Sequence, residues 1–228
     1  MEIPKRRWNS RASKKTSTEF PVGPQSAIHD SVWQEYLDYR QIILNGEIGD
    51  EVIERVVMQI EKYNFEDEER ESTQVGYNRL VNPITLYINS PGGYVTEGLA
   101  IVSAIEQSGT PIITVAVGNC ASMAFVILVA GHARYAYRHA HLMYHEISSG
   151  YGGTLHGFTE TVEHLGMLQK QVDSIILGRS LVTAKKLASV NNLKHDWYLT
   201  LEEALGLGFI DGVVPQPINP GRPKRKSK

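Results

Sequence analysis

An α/β fold with a largely parallel sheet is predicted by two features of the sequence. Apolar strand-like runs alternate with amphipathic helical stretches, and turn residues rich in Gly, Asn and Pro stand where the runs end. In sheets of this kind, binding and catalysis gather at the carboxyl ends of the strands. The 228 residues suffice for one sizeable domain with a real core.

The elements follow in order. Gln41–Leu44 is a short apolar run before the turn signal Asn45-Gly46. Asp50–Tyr63 carries Val52, Ile53, Val56, Val57 and Ile60, the spacing of one helical face. Phe65–Asn82 opens with Glu66, Asp67, Glu68 and Glu69 and is expected to be a surface loop. Ile84–Ile88 is a strand that ends at Asn89-Ser90-Pro91-Gly92-Gly93, and Val95–Gln107 is a helix with Leu99, Ile101, Val102 and Ile105 inward. Ile112–Val117 is a β-branched strand stopped by Gly118. Ala121–Ala130 is a buried helix ended by Gly131. Ala140–Tyr144 is a short strand, and His156–Ile176 a long helix with Leu165, Leu168, Val172 and Ile175 on one side. Thr183–Val190 is a further helix, and Leu201–Leu205 leads into Phe209–Val214.

The two ends differ from this body. Residues 1–30 form a basic arm and residues 215–228 a Pro-rich basic tail, around a domain at 31–214. Neither end carries enough apolar surface to offset the entropy of ordering, so both are expected to be flexible. The arm contains Arg and Ser and few acids, which also suits an organellar transit peptide.

Composition narrows the function. Lys plus Arg is 23 and Asp plus Glu 25, a formal net charge of −2, which gives no reason to expect nucleic acid as partner. The longest apolar run, Ala121–Ala130, is far short of the roughly 20 residues that span a bilayer, so no membrane partner is expected. Cys120 is the sole cysteine, which excludes an intrachain disulfide and suits a reducing, cytoplasmic setting.

Chemistry is suggested at four places. Ser122 follows a strand and a Gly-Asn-Cys-Ala turn and opens an apolar helix. Free N–H groups and the positive end of the helix dipole meet there, as an oxyanion site needs. Read singly, it is also a plain helix cap. Ser90-Pro91-Gly92-Gly93 can bring backbone amides close to a ligand. No Gly-Lys-Ser/Thr follows it, so it is not a phosphate loop. His145 ends a strand at the same sheet edge and is a candidate base, with Gly-rich residues 148–153 after it. His139, His141 and His145 would share one face of a continuous strand, but no acidic or Cys partner matches them, and no metal is expected. Asp196 can orient the base, though Asp30, Asp50 and Asp211 compete on spacing alone. Cys120 is a rival nucleophile whose simpler role is packing. The order Ser, His, Asp excludes the α/β-hydrolases, which run Ser, Asp, His.

Taken together, several blocks resemble the proteolytic subunits of the Clp protease, the ClpP family. They are Leu86–Gly93, Glu97–Ile101, Ala121-Ser122-Met123, Ala130-Gly131, Met143-Tyr144-His145, the segment around Asp196, and Glu203-Ala204 through Gly208–Asp211. The likeness runs from about Val32 to Val214. It implies the ClpP/crotonase-like spiral of βαβ units with a protruding handle helix after His156. It implies Ser122 as nucleophile, His145 as base, Asp196 as acid, and the amides of Gly93 and Met123 as the oxyanion hole. Substrate would lie along Ser148, Ser149, Gly150 and Tyr151 as an added strand. The implied assembly is a heptameric ring, usually doubled. An AAA+ unfoldase feeds it protein substrates, and no cofactor is needed.

The chain departs from that pattern in places. Ala124 stands where the family has Gly after Ala-Ser-Met, His145-Glu146-Ile147 where it has His-Gln-Pro, and Lys194-His195 where it has Asp-Arg. The triad is untouched, and the pattern is that of a divergent or virus-encoded member. Three alternatives follow: a virus-type head-maturation protease, an inactive structural subunit of a mixed ring, and a crotonase-like acyl-CoA enzyme. The pairing of Ser122 with His145 speaks against the last.

Overall fold

The computed structural model describes residues 34–150, 152–193 and 196–215. The expected N-terminal arm and nearly all of the basic tail lie outside the described residues, as do Tyr151, Lys194 and His195. After a helical stretch at 34–38 come β1 (Gln41–Asn45), α1 (Asp50–Thr73), a 3₁₀ turn (Arg79–Val81), β2 (Ile84–Ser90), α2 (Val95–Gln107), β3 (Ile112–Ala121) and α3 (Met123–Ala130). Then follow β4 (Ala133–Ala136), β5 (His141–Tyr144), α4 (Leu155–Arg179), α5 (Ala184–Leu193), β6 (Trp197–Leu199), α6 (Leu201–Gly206) and β7 (Gly212–Val213).

The expected α/β class with a parallel sheet is what the chain adopts. The sheet runs β1-β2-β3-β4-β7, and β5 pairs with both β3 and β6. Every pairing is parallel except β5 with β6. Strands β1 and β2 bury alternate residues completely, among them Ile42, Leu44, Ile84, Leu86 and Ile88, against α1, α2 and α3. Each such Leu or Ile contributes about 1.5–3 kcal/mol relative to exposure. Every residue of α3 is buried, so this helix is the centre of the core rather than a surface layer.

An irregularity in β3 sets up the active edge. Ile88 pairs with Ala116, but Ser90 pairs with Cys120, so β3 holds two more residues than β2 across this interval. Below the irregularity, Ile113–Ala116 pair with β4; above it, Asn119–Ala121 pair with β5. The extra length turns β3 away from one neighbour and onto another, as bulges do. The Asn89 side chain bridges the gap. It accepts from the Asn119 N–H at 2.9 Å and donates to Asn45 Oδ1 at 2.7 Å. This is why β3 continues to Ala121 instead of stopping at Gly118, and why the buried helix starts at Met123 instead of Ala121.

The expected surface loop at Phe65–Asn82 is corrected by the structure: α1 continues through Thr73. Asp67 is fully buried and gives the extension a reason to pack. It takes Arg40 Nη1 and Nη2 at 3.0 and 2.6 Å and also accepts from the hydroxyls of Tyr77 and Thr110. The exposed Glu, Lys and Arg residues are good helix formers, and Lys62–Glu66 and Glu66–Arg70 lie one turn apart as ion pairs. Strand β4 was not expected, because Ala133-Arg134-Tyr135-Ala136 is short and only partly buried. His139 lies in a turn ahead of β5, so the continuous strand required by a three-histidine set does not exist.

Candidate active site

Ser122 sits between β3 and α3 with φ 55° and ψ −127°. Among the described non-glycine residues, only Arg40 and Ser122 have positive φ. Such a conformation costs about 1–3 kcal/mol and persists only where the surroundings enforce it. Here the enforcement is visible. The Ser122 N–H donates to the Met143 carbonyl at 2.9 Å, continuing the β3–β5 ladder. Its own carbonyl accepts from Phe125 at 3.0 Å, which starts α3. The Met123 side chain is buried over Gly98, which pins the first turn.

The Gly92-Gly93 turn closes on the serine from β2. A Cβ at Gly92 would stand 2.6 Å from Ser122 Cβ and 2.9 Å from the Ala121 carbonyl oxygen. A Cβ at Gly93 would stand 2.3 Å from the Ile48 carbonyl oxygen. Both glycines also have positive φ, 99° and 153°. Ile48 donates to Gly92 O at 2.8 Å and accepts from the Tyr94 N–H at 2.9 Å, so the bridge to Ile48 uses the groups on either side of the Gly93 N–H. Neither the Gly93 nor the Met123 N–H has a partner among the described residues. Two amides without partners next to a serine could serve as donors to an oxyanion.

His145 and Asp196 arrive by strand pairing. β5 and β6 pair Tyr144 with Trp197 antiparallel, so one further step outward sets His145 opposite Asp196. The same register puts Met143 opposite Tyr198, on the face shared by His145 and Asp196, because strand side chains alternate. Ser122, His145 and Asp196 thus meet at one end of β3, β5 and β6. Their side chains are not joined: among the described residues no hydrogen bond links the serine hydroxyl, the imidazole and the carboxylate. Asp196 Oδ2 accepts instead from the Tyr198 hydroxyl at 3.0 Å. Catalytic hydrogen bonds often tighten only when substrate is bound.

The remaining expected residues are also located. Ser148, Ser149 and Gly150 are exposed beyond His145; Tyr151 lies outside the described residues. Cys120 is buried, its Sγ 3.4 Å from the Ala124 carbonyl, and burial pushes its thiol pKa up, away from thiolate chemistry. Asp50 opens α1, and Asp211 pairs with Arg134, its Oδ1 2.7 Å from Arg134 Nη2; Asp30 lies outside the described residues.

The sequence did not point to the polar group behind His145. Tyr144, 1% exposed, donates to Asp173 Oδ1 at 3.1 Å. Gln169 Nε2 donates to Asp173 Oδ1 at 2.8 Å and to the Tyr144 hydroxyl at 3.2 Å. Asn191 Nδ2 also donates to Asp173 Oδ1, at 3.1 Å. Burial first, then the nearby Asp173 charge, pushes the Tyr144 hydroxyl pKa up and keeps it a donor. The signal available in sequence was a Gln and an Asp four residues apart in an amphipathic helix.

The α/β class with a parallel sheet, and a serine at positive φ where β3 gives way to α3, agree with the comparisons to known proteins. Residues 24–217 match the family model described as Clp protease. The chain belongs to the Clp protease family. It is 33% identical over 190 residues to the ATP-dependent Clp protease proteolytic subunit 2 of Nocardia farcinica, covering 82% of this chain and 86% of that protein. It is 33% identical over 200 residues to the subunit 2 of Thermobifida fusca, covering 86% and 90%. The proteolytic subunit 1 of Corynebacterium jeikeium is 32% identical over 187 residues, covering 81% and 92%. Among the described residues, no helix is long and apolar enough to cross a membrane.

Proposed function

We propose that this chain is a serine endopeptidase that cleaves unfolded polypeptides, with Ser122 as nucleophile, His145 as base and Asp196 as orienting acid. The observation that carries the reading is Ser122 itself, held at φ 55° beside two amides that have no partner among the described residues. His145 takes the hydroxyl proton as Ser122 Oγ attacks the substrate carbonyl. The Gly93 and Met123 amides receive the developing negative charge. His145 then protonates the leaving amine, and water cleaves the acyl-enzyme. Substrate lies extended along residues 148–151 and pairs through its backbone, which tolerates many sequences.

The names of the relatives support a proteolytic subunit that works with ATP-driven partners. On this reading the chain assembles as a ring around a chamber, a second ring stacks through the handle helix α4, and an AAA+ unfoldase supplies substrate in the cytoplasm. A second reading, an inactive structural subunit, is favoured by the bond from Tyr198 to Asp196, which occupies one oxygen of the proposed acid. One experiment separates them: fluorophosphonate labelling and peptide cleavage by wild type and Ser122→Ala, with sizing of each. Labelling and cleavage lost in the variant, with assembly unchanged, supports the peptidase. No labelling of the assembled wild type supports the structural subunit.

A further inference from the structure

The backbone N–H of Ile147 donates to Gln169 Oε1 at 2.8 Å. Ile147 stands two residues after the proposed base and directly before the exposed Ser148. The bond ties the segment leaving β5 to α4.

The acceptor is itself held in place. Asp173 is a carboxylate, which only accepts, so it takes Gln169 through Nε2. Nε2 also reaches the buried Tyr144 hydroxyl. With the amide nitrogen committed, Oε1 faces the opposite way, at Ile147. Asn191 of α5 holds Asp173 from a third element. The orientation of the Gln169 amide is therefore set by its partners, and a chain of contacts runs from α5 through α4 to the peptide plane between Glu146 and Ile147.

We infer that Gln169 is a positioning residue: it holds the Ile147 peptide so that residues 148–150 are presented in one fixed register to an extended substrate. The inference rests on the peptidase reading above. Ile147 has an N–H that needs an acceptor in a part-buried place. A proline there would have no N–H and a φ fixed by its ring. Gln169 does by hydrogen bonding what a proline would do covalently. Without either, the peptide plane can rotate and the strand-like edge offered to substrate loses its register.

The test uses the full chain in its assembled form, with Gln169→Leu and the double variant Gln169→Leu, Ile147→Pro. Peptide hydrolysis, fluorophosphonate labelling of Ser122 and amide exchange of residues 146–150 are read on each. Gln169→Leu is expected to raise KM for an extended peptide about tenfold, the share of its effect that comes from losing the part-buried bond to the Ile147 N–H. Labelling of Ser122 by the small reagent stays within about twofold, since the reagent makes no strand pairing. Exchange across 146–150 speeds up. Adding Ile147→Pro brings KM back toward wild type, a rescue that a merely structural Gln169 does not give. An unchanged KM and unchanged exchange in Gln169→Leu, or no rescue by proline, overturns the inference while intact labelling leaves the peptidase standing. Absence of labelling in wild type overturns the peptidase reading and this inference with it.

Discussion

The Tyr198 hydroxyl donates to Asp196 Oδ2 at 3.0 Å, from the next residue but one along the same strand edge. One oxygen of the Asp196 carboxylate is thereby engaged by its own strand neighbour. The bond has a titration consequence. The hydrogen bond to Asp196, then its charge, holds the Tyr198 hydroxyl pKa above the ordinary tyrosine value. Because the folded value is raised, the bond is fully present below the ordinary tyrosine pKa. It is lost as pH rises through the folded value. Asp196→Asn is expected to bring the Tyr198 ionisation down toward that of a free tyrosine. Ultraviolet difference titration against Tyr198→Phe measures this, and an unmoved transition refutes the coupling.

Asp67 provides the second prediction. Burial raises its carboxyl pKa, but hydrogen bonds from Thr110, Tyr77 and Arg40 outweigh burial and leave it below the usual carboxylate range. The stabilisation is therefore present above the unfolded-state pKa and is lost as pH falls through the folded value. Asp67→Asn leaves Arg40 without its buried counter-charge and should destabilise the chain by about 3–5 kcal/mol near neutral pH. Urea unfolding at neutral and acidic pH checks this, with the gap between variant and wild type narrowing in acid. Equal midpoints at neutral pH would refute it.

The same residue marks a boundary of what sequence reveals. The apolar spacing of Val52, Val56 and Ile60 announces α1, but nothing local announces that Asp67 is buried. Its partners Arg40 and Thr110 lie 27 and 43 residues away. An acidic run looks like a solvated loop until those partners are in place. The turn at Gly92 and Gly93 was legible because glycines after a strand carry their own conformational demand, whereas the positive φ of Ser122 was not, since a serine announces none. Gln169 and Tyr198 were not, since their meaning depends on how α4 and β6 lie against β5.

Gly92 tests the closure of the turn on the serine. Its φ of 99° is unfavourable for any residue with a side chain, and a methyl group would meet Ser122 Cβ at 2.6 Å. Gly92→Ala should cost about 1–3 kcal/mol of stability. On the proposed mechanism it also displaces the Gly93 amide, and loss of one oxyanion donor lowers kcat by about a hundredfold or more. Steady-state kinetics should show the loss in kcat with KM little changed. A variant that keeps wild-type kcat would remove this turn from the proposed oxyanion site.

Ser122 offers the sharpest separation of stability from activity. Its φ of 55° and ψ of −127° suit glycine better than any residue with a Cβ. The residue nonetheless caps a helix with no capping hydrogen bond from its side chain. A serine that neither satisfies the helix end nor relaxes into an ordinary conformation stabilises nothing by its hydroxyl. Ser122→Gly should therefore raise stability by about 1 kcal/mol, the strain being relieved by the missing side chain. It should also abolish peptide cleavage and fluorophosphonate labelling. Thermal unfolding and labelling on the same preparation read both effects. A hydroxyl retained for packing would give the reverse, with lower stability and activity unaffected.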